Sequence, residues 1–200
     1  MNIYSIALFV HVVGAIGYCL GIGVWLFVLV GLGRAQRVEQ VRALIHLNNL
    51  SGPFSGISAL LLLATGLYMA LTAWGGLSGW ILVALISLLL MFPTSAALIV
   101  PRRRALVDKM AREAPEGPLS EALKQRIYDP VLLAVLLTVA ALLLGLIFLM
   151  TTKPDVVGSL IVMAVALLIG LASSVLVSRM RRTPRQGAAA KPERRQEPVG

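Results

Sequence analysis

The stretch PVLLAVLLTVAALLLGLIFLM, from Pro130 to Met150, decides the class of this protein. It contains no charged residue and no histidine. About 20 apolar residues, each rising about 1.5 Å in a helix, cross the hydrocarbon core of a bilayer. A soluble core needs no such unbroken run. Four more segments read the same way, at about Ile3–Leu32, Phe54–Trp74, Trp80–Val100 and Val156–Val177, and none contains Asp, Glu, Lys or Arg. The composition agrees, with 58% hydrophobic and 14% charged residues, against roughly 25% charged in soluble domains. These runs predict an all-α integral membrane protein, a bundle of five transmembrane helices.

Charge placement orients the bundle. Of the 18 Lys and Arg residues, all but Lys153 fall in the segments 33–53, 101–129 and 179–200. The positive-inside rule then puts the N-terminus outside and the C-terminus in the cytoplasm. It also accounts for the net charge of +9 without a nucleic acid partner. The expected location is a bacterial inner (cytoplasmic) membrane, crossed several times. The expected partners are the lipid bilayer and anionic headgroups at its cytoplasmic face.

The chain divides into a four-span bundle over 1–152, a fifth transmembrane helix over 153–178, and a basic, disordered cytoplasmic tail over 179–200. The bundle carries cytoplasmic loops at 33–53 and 101–129. Within the first loop Val38, Val41, Leu44 and Ile45 recur at helical spacing, which predicts an amphipathic helix on the inner membrane surface. Ser51-Gly52-Pro53 is expected to end it, and Arg102-Arg103-Arg104 to stop the third span. Pro93 should kink that span. Part of 108–126 should be helical, and tight external turns are expected at 75–79, between Trp74 and Trp80, and at 151–154. The start, Met1-Asn2-Ile3-Tyr4, lacks the basic region of a cleaved signal and reads as the lead into a retained first span.

His11 is the only ionisable His, Asp, Glu, Lys or Arg within a span, which makes it the first candidate for a site. It shares one helical stripe with Gly14, Tyr18, Gly21 and Trp25. A neutral imidazole can ligate haem iron, zinc or copper. The alternative is a buried histidine bonded to a neighbouring helix, with the glycines admitting close packing. His46 lies on the order of 20 Å away in depth and so cannot share a metal with it. Met69 and Met150 fall near the depth of His11, so a His/Met pair is a further possibility for haem or Cu(I). Gly14, Gly17, Gly21 and Gly170 read as helix-packing positions. Gly17 and Gly21 form a GxxxG, and Ala15-Cys19-Gly23 and Ala166-Gly170-Ser174-Ser178 extend small residues along their helices, within the chain or in a homo-oligomer. Cys19 is the single cysteine, so no disulfide framework exists. No acid or base lies in a span to form a proton relay. No phosphate-binding glycine loop appears.

The run Leu8-Phe9-Val10-His11-Val12-Val13-Gly14, continued by Tyr18 and Gly21, resembles the first span of the copper-resistance protein D-like and HemJ-like membrane proteins. That group has a histidine, an aromatic seven residues later and a glycine three further on. Tyr18 stands here where Trp is usual. Thr65-Gly66-Leu67-Tyr68 is similar to an element of their second span. The resemblance covers about 1–152 and is nearest to the small bacterial members without an assigned role. For the haem-associated members it implies a haem-ligand candidate in the first span, which carries over to His11 alone.

The expectation is therefore a polytopic inner-membrane protein that is not an enzyme and needs no cofactor. One alternative is a haem-binding redox protein related to porphyrinogen oxidation through His11. Another is copper or small-molecule transport.

Overall fold

The computed structural model describes residues 2–74, 76–113 and 117–188, with side chains through 179. The described residues form six helices and no strand: α1 (Ile3–Leu32), α2 (Val38–Thr72), α3 (Gly79–Ala111), α4 (Glu121–Ile127), α5 (Pro130–Thr152) and α6 (Val156–Ala188). All but α4 are long and apolar enough to cross a membrane.

Four of the six starts are capped by a local side chain. Asn2, Ser120, Asp129 and Asp155 turn a side-chain oxygen onto the free N–H groups of the first turn of α1, α4, α5 and α6. Pro130 follows at the first position of α5, where its missing N–H costs nothing.

Two helices run further than their sequence suggests. α2 continues unbroken through Ser51-Gly52-Pro53, and α3 through Pro93, Pro101 and the three arginines. Nearby hydroxyls bond carbonyls in the affected turns. Ser51 Oγ donates to the carbonyl of Asn48, Ser55 Oγ to Ser51, and Ser95 Oγ to Met91 and Phe92. The tail also departs from expectation, because α6 stays helical to Ala188. The rest of that segment, 189–200, and Gly75 lie outside the described residues.

The helices are arranged as two close pairs, α1 with α2 and α5 with α6, joined through α3. Tyr18, Val83, Leu88, Met91, Leu143 and Leu149 head the apolar core between them. At the basic end a second core forms. Val38, Val41 and Ile45 of α2 pack with Leu106 and Met110 of α3 and with Leu123 and Ile127 of α4. The amphipathic stretch therefore buries its apolar face on protein, where the sequence alone pointed to a lipid surface. Backbone bonds from Val38 N–H to Gly117 and from Leu119 N–H to Gln36 tie this cap together. Tyr128 Oη donates to the Gly33 carbonyl at 2.7 Å, and Arg102 pairs with Asp129 at 3.3 Å.

Candidate functional site

The α1–α2 seam is built from small residues. A Cβ added at Gly14 would stand 3.0 Å from the Ser58 carbonyl and 3.1 Å from the Leu62 nitrogen. At Gly17 it would meet the Ser58 hydroxyl, and at Gly21 the Ser55 hydroxyl and Cβ. The two backbones approach closely because these positions carry no side chain. Gly170 does the same for α6 on α5, where a Cβ would lie 2.5 Å from Thr138 Cα. Ala166 and Ser174, one turn to either side, are buried on that same helix. The Gly14-Gly17-Gly21 face of α1 and the Ala166-Gly170-Ser174 face of α6 are thus both occupied within the chain.

That seam positions His11. The Thr65 hydroxyl donates its hydrogen to the Leu61 carbonyl at 2.5 Å. With that hydrogen committed, it is placed to accept from the imidazole, whose Nδ1 lies 3.2 Å away. The Leu62 backbone lies within hydrogen-bonding reach of the ring as well, so α2 offers the imidazole two polar partners. Gly66 makes room for it, since a Cβ there would come within 2.9 Å of His11 Cε1. His46 sits on the same helix as Thr65, nineteen residues earlier, or about 28 Å along the axis. The two histidines stay apart.

Between the two helix pairs lies a cleft of about 820 Å³. Its floor includes His11, Tyr18, Cys19, Met69, Ala84 and Met150. Met69 is 1% exposed, and Tyr18 packs its ring against Phe92 of α3 with centroids 5.6 Å apart. The rim is apolar and outward-facing: Val12, Ile16, Leu20 and Phe27 of α1, with Leu67 of α2 and Ile147 of α5. Such a rim opens the cleft to hydrocarbon rather than to water. Gly23 also lines it and has nothing within 4 Å of its absent Cβ. His11, Met69 and Met150 thus share one wall system, whereas Gly14, Gly21 and Gly170 are sites of helix contact. Among the described residues no group of three His, Cys, Asp or Glu could hold a metal ion.

At the end of the cleft away from the basic cap lie Trp74 and Trp80, whose centroids are 5.2 Å apart. Lys153 ends α5 beside them. Sequence reading missed this pairing, although Lys153 stood out as the one base away from the other seventeen. It also missed Thr65 as the partner of His11 and Gly66 as its notch.

A fold of five apolar helices, each long enough to span a bilayer, defines a polytopic α-helical integral membrane protein. The family described as predicted integral membrane protein, DUF2269, matches residues 5–154, three quarters of the chain, and the chain belongs to that family. No curated protein and no solved structure matches it.

Proposed function

We propose that this protein is a non-enzymatic binding protein of the membrane, which holds an apolar or amphiphilic small molecule in the cleft between its two helix pairs. The observation that carries this reading is the cleft itself. Its volume of about 820 Å³ falls within the range of small-molecule sites, roughly 300–1,000 Å³. Its rim admits a ligand sideways from hydrocarbon. A few polar side chains among the apolar lining, His11 foremost with Tyr18 and Thr151, supply orientation. The family match supports the membrane setting. The one-sided basic charge supports a bacterial inner membrane, with anionic headgroups at the cytoplasmic face. Native mass spectrometry of the full chain in mild detergent tests the reading. A bound species released only on unfolding is expected, and a chain that is ligand-free when taken directly from membranes would contradict it.

The geometry at His11 favours a second reading. A ligating histidine ordinarily donates its other ring N–H to a fixed acceptor, as His11 does to Thr65. Haem fits the cleft in part, since His11 offers a nitrogen and the walls are apolar, with Met69 and Met150 on the same cleft. Bound haem would supply redox chemistry related to that of the HemJ-like proteins. Bound Cu(I) would instead point to transport. An absorption spectrum with a copper assay separates these occupants from a colourless lipid. In this reading His11→Gln loses the chromophore or the metal, and retention in that variant would remove it.

A further inference from the structure

We propose that Lys153, Trp74 and Trp80 form a headgroup clamp at the mouth of the cleft, and that the occupant is an anionic phospholipid of the surrounding bilayer. Its acyl chain would lie along the cleft and its phosphate against Lys153 Nζ. This inference rests on the reading of the cleft as a binding site.

Four observations converge on it. Lys153 Nζ stands 5.1 Å from the Trp74 ring centroid and 5.9 Å from that of Trp80. Both rings line the cleft, as do Met150 and Thr151, three and two residues before Lys153. The ammonium is therefore held over the cleft mouth by two aromatic faces. Tryptophan pairs at the ends of spanning helices mark headgroup depth. That is where a phosphate lies when its acyl chain lies in the hydrocarbon.

The charge is also uncommitted. No ion pair to Lys153 occurs among the described residues. The nearest acid in sequence, Asp155, uses its side chain to accept from Gly158 N–H at 2.9 Å. Finally, Lys153 ends α5 in the left-handed conformation, with φ of 47°. Glycine is the usual residue there, and a side chain is held in that region against its own preference. The position thus carries a lysine where the backbone alone would favour glycine.

The docking of the neighbouring turns keeps the clamp in place. A Cβ at Gly79, the first residue of α3, would collide with Val156 of α6. The turn before α3 and the turn after α5 therefore abut.

The test uses the full chain in lipid nanodiscs, with phosphatidylglycerol and phosphatidylcholine probes that carry the same photoactivatable acyl chain. The expected result is crosslinks on cleft residues such as Tyr18, Cys19 and Ala84. Phosphatidylglycerol should label them about fivefold more than phosphatidylcholine, the effect of one lysine at an anionic headgroup. Lys153→Gly removes the charge and relieves the backbone, so it should stay folded and abolish the preference. Lys153→Gln should abolish it too, and Lys153→Arg should keep it. Equal labelling by the two lipids, or a preference that survives Lys153→Gly, overturns the clamp and leaves the cleft intact. No labelling of cleft residues by either lipid overturns the cleft reading together with the clamp.

Discussion

His11 meets three neighbours on α2: the Thr65 hydroxyl, the Leu62 backbone and the space beside Gly66. Thr65 accepts from Nδ1, and Gly66 leaves the space that the ring edge fills. These two contacts should respond differently to substitution. Thr65→Val removes the acceptor, and interhelical bonds in membrane bundles average only about 0.6 kcal/mol, so unfolding in detergent should barely shift. Gly66→Ala instead drives a methyl into the ring and should displace His11 from its position, at an overpacking cost of about 1–3 kcal/mol. A larger loss for Thr65→Val than for Gly66→Ala would contradict this order. The glycines divide in the same way. Alanine at Gly14 or Gly170 meets backbone atoms, which cannot give way, and each should cost about 1–3 kcal/mol. Alanine at Gly23 meets nothing and should be neutral, or stabilising by up to about 1 kcal/mol from helix propensity. Melting temperatures of the three variants, measured side by side, check the division.

At the scale of elements, the cap at the basic end shows what periodicity can and cannot say. The spacing of Val38, Val41, Leu44 and Ile45 revealed an apolar helical face. It could not name the surface that covers that face, because lipid and protein present the same hydrocarbon to it. The partner is the extension of α3 with α4, two charged stretches whose few apolar residues look unremarkable alone. The third helix outruns the apolar stretch that marks its span for a related reason. Hydropathy falls at Arg102, but arginine and lysine are good helix formers, so the backbone continues to Ala111. Prolines misled likewise, since a break at Pro53 was expected where α2 runs on. Pro53→Ala should accordingly leave the helical content by circular dichroism unchanged, and a marked gain would mean the turn is open in solution. Leu123 is fully buried in the cap. Leu123→Ala should cost about 2–5 kcal/mol there and hasten proteolysis within 101–129. An unchanged cleavage rate would argue that α4 rests on lipid instead.

Across the whole molecule, the spans were legible because hydrocarbon imposes a length and forbids charge, and both constraints show in a single sequence. Orientation rests on the seventeen bases that fall in the segments 33–53, 101–129 and 179–200. A reporter fused after Gly200 should read cytoplasmic and one placed at 75–79 external, and inversion of either would reverse the assignment. The cleft was not legible. His11, Met69 and Met150 could be matched in depth by counting residues, but the opening between helix pairs depends on the side from which α3 and α5 approach α1. No pattern of residues along one helix records that. The central claim is that this opening holds a molecule, and Gly23 offers the most direct test. It lines the cleft and has free space where a side chain would stand. Gly23→Phe should fold as the wild type does while filling the site from within. Native mass spectrometry of both proteins, taken from the same membranes, should show a bound species on the wild type that is absent from Gly23→Phe at equal thermal stability. The same species retained by Gly23→Phe, or none on either protein, would contradict the assignment of this cleft as a binding site.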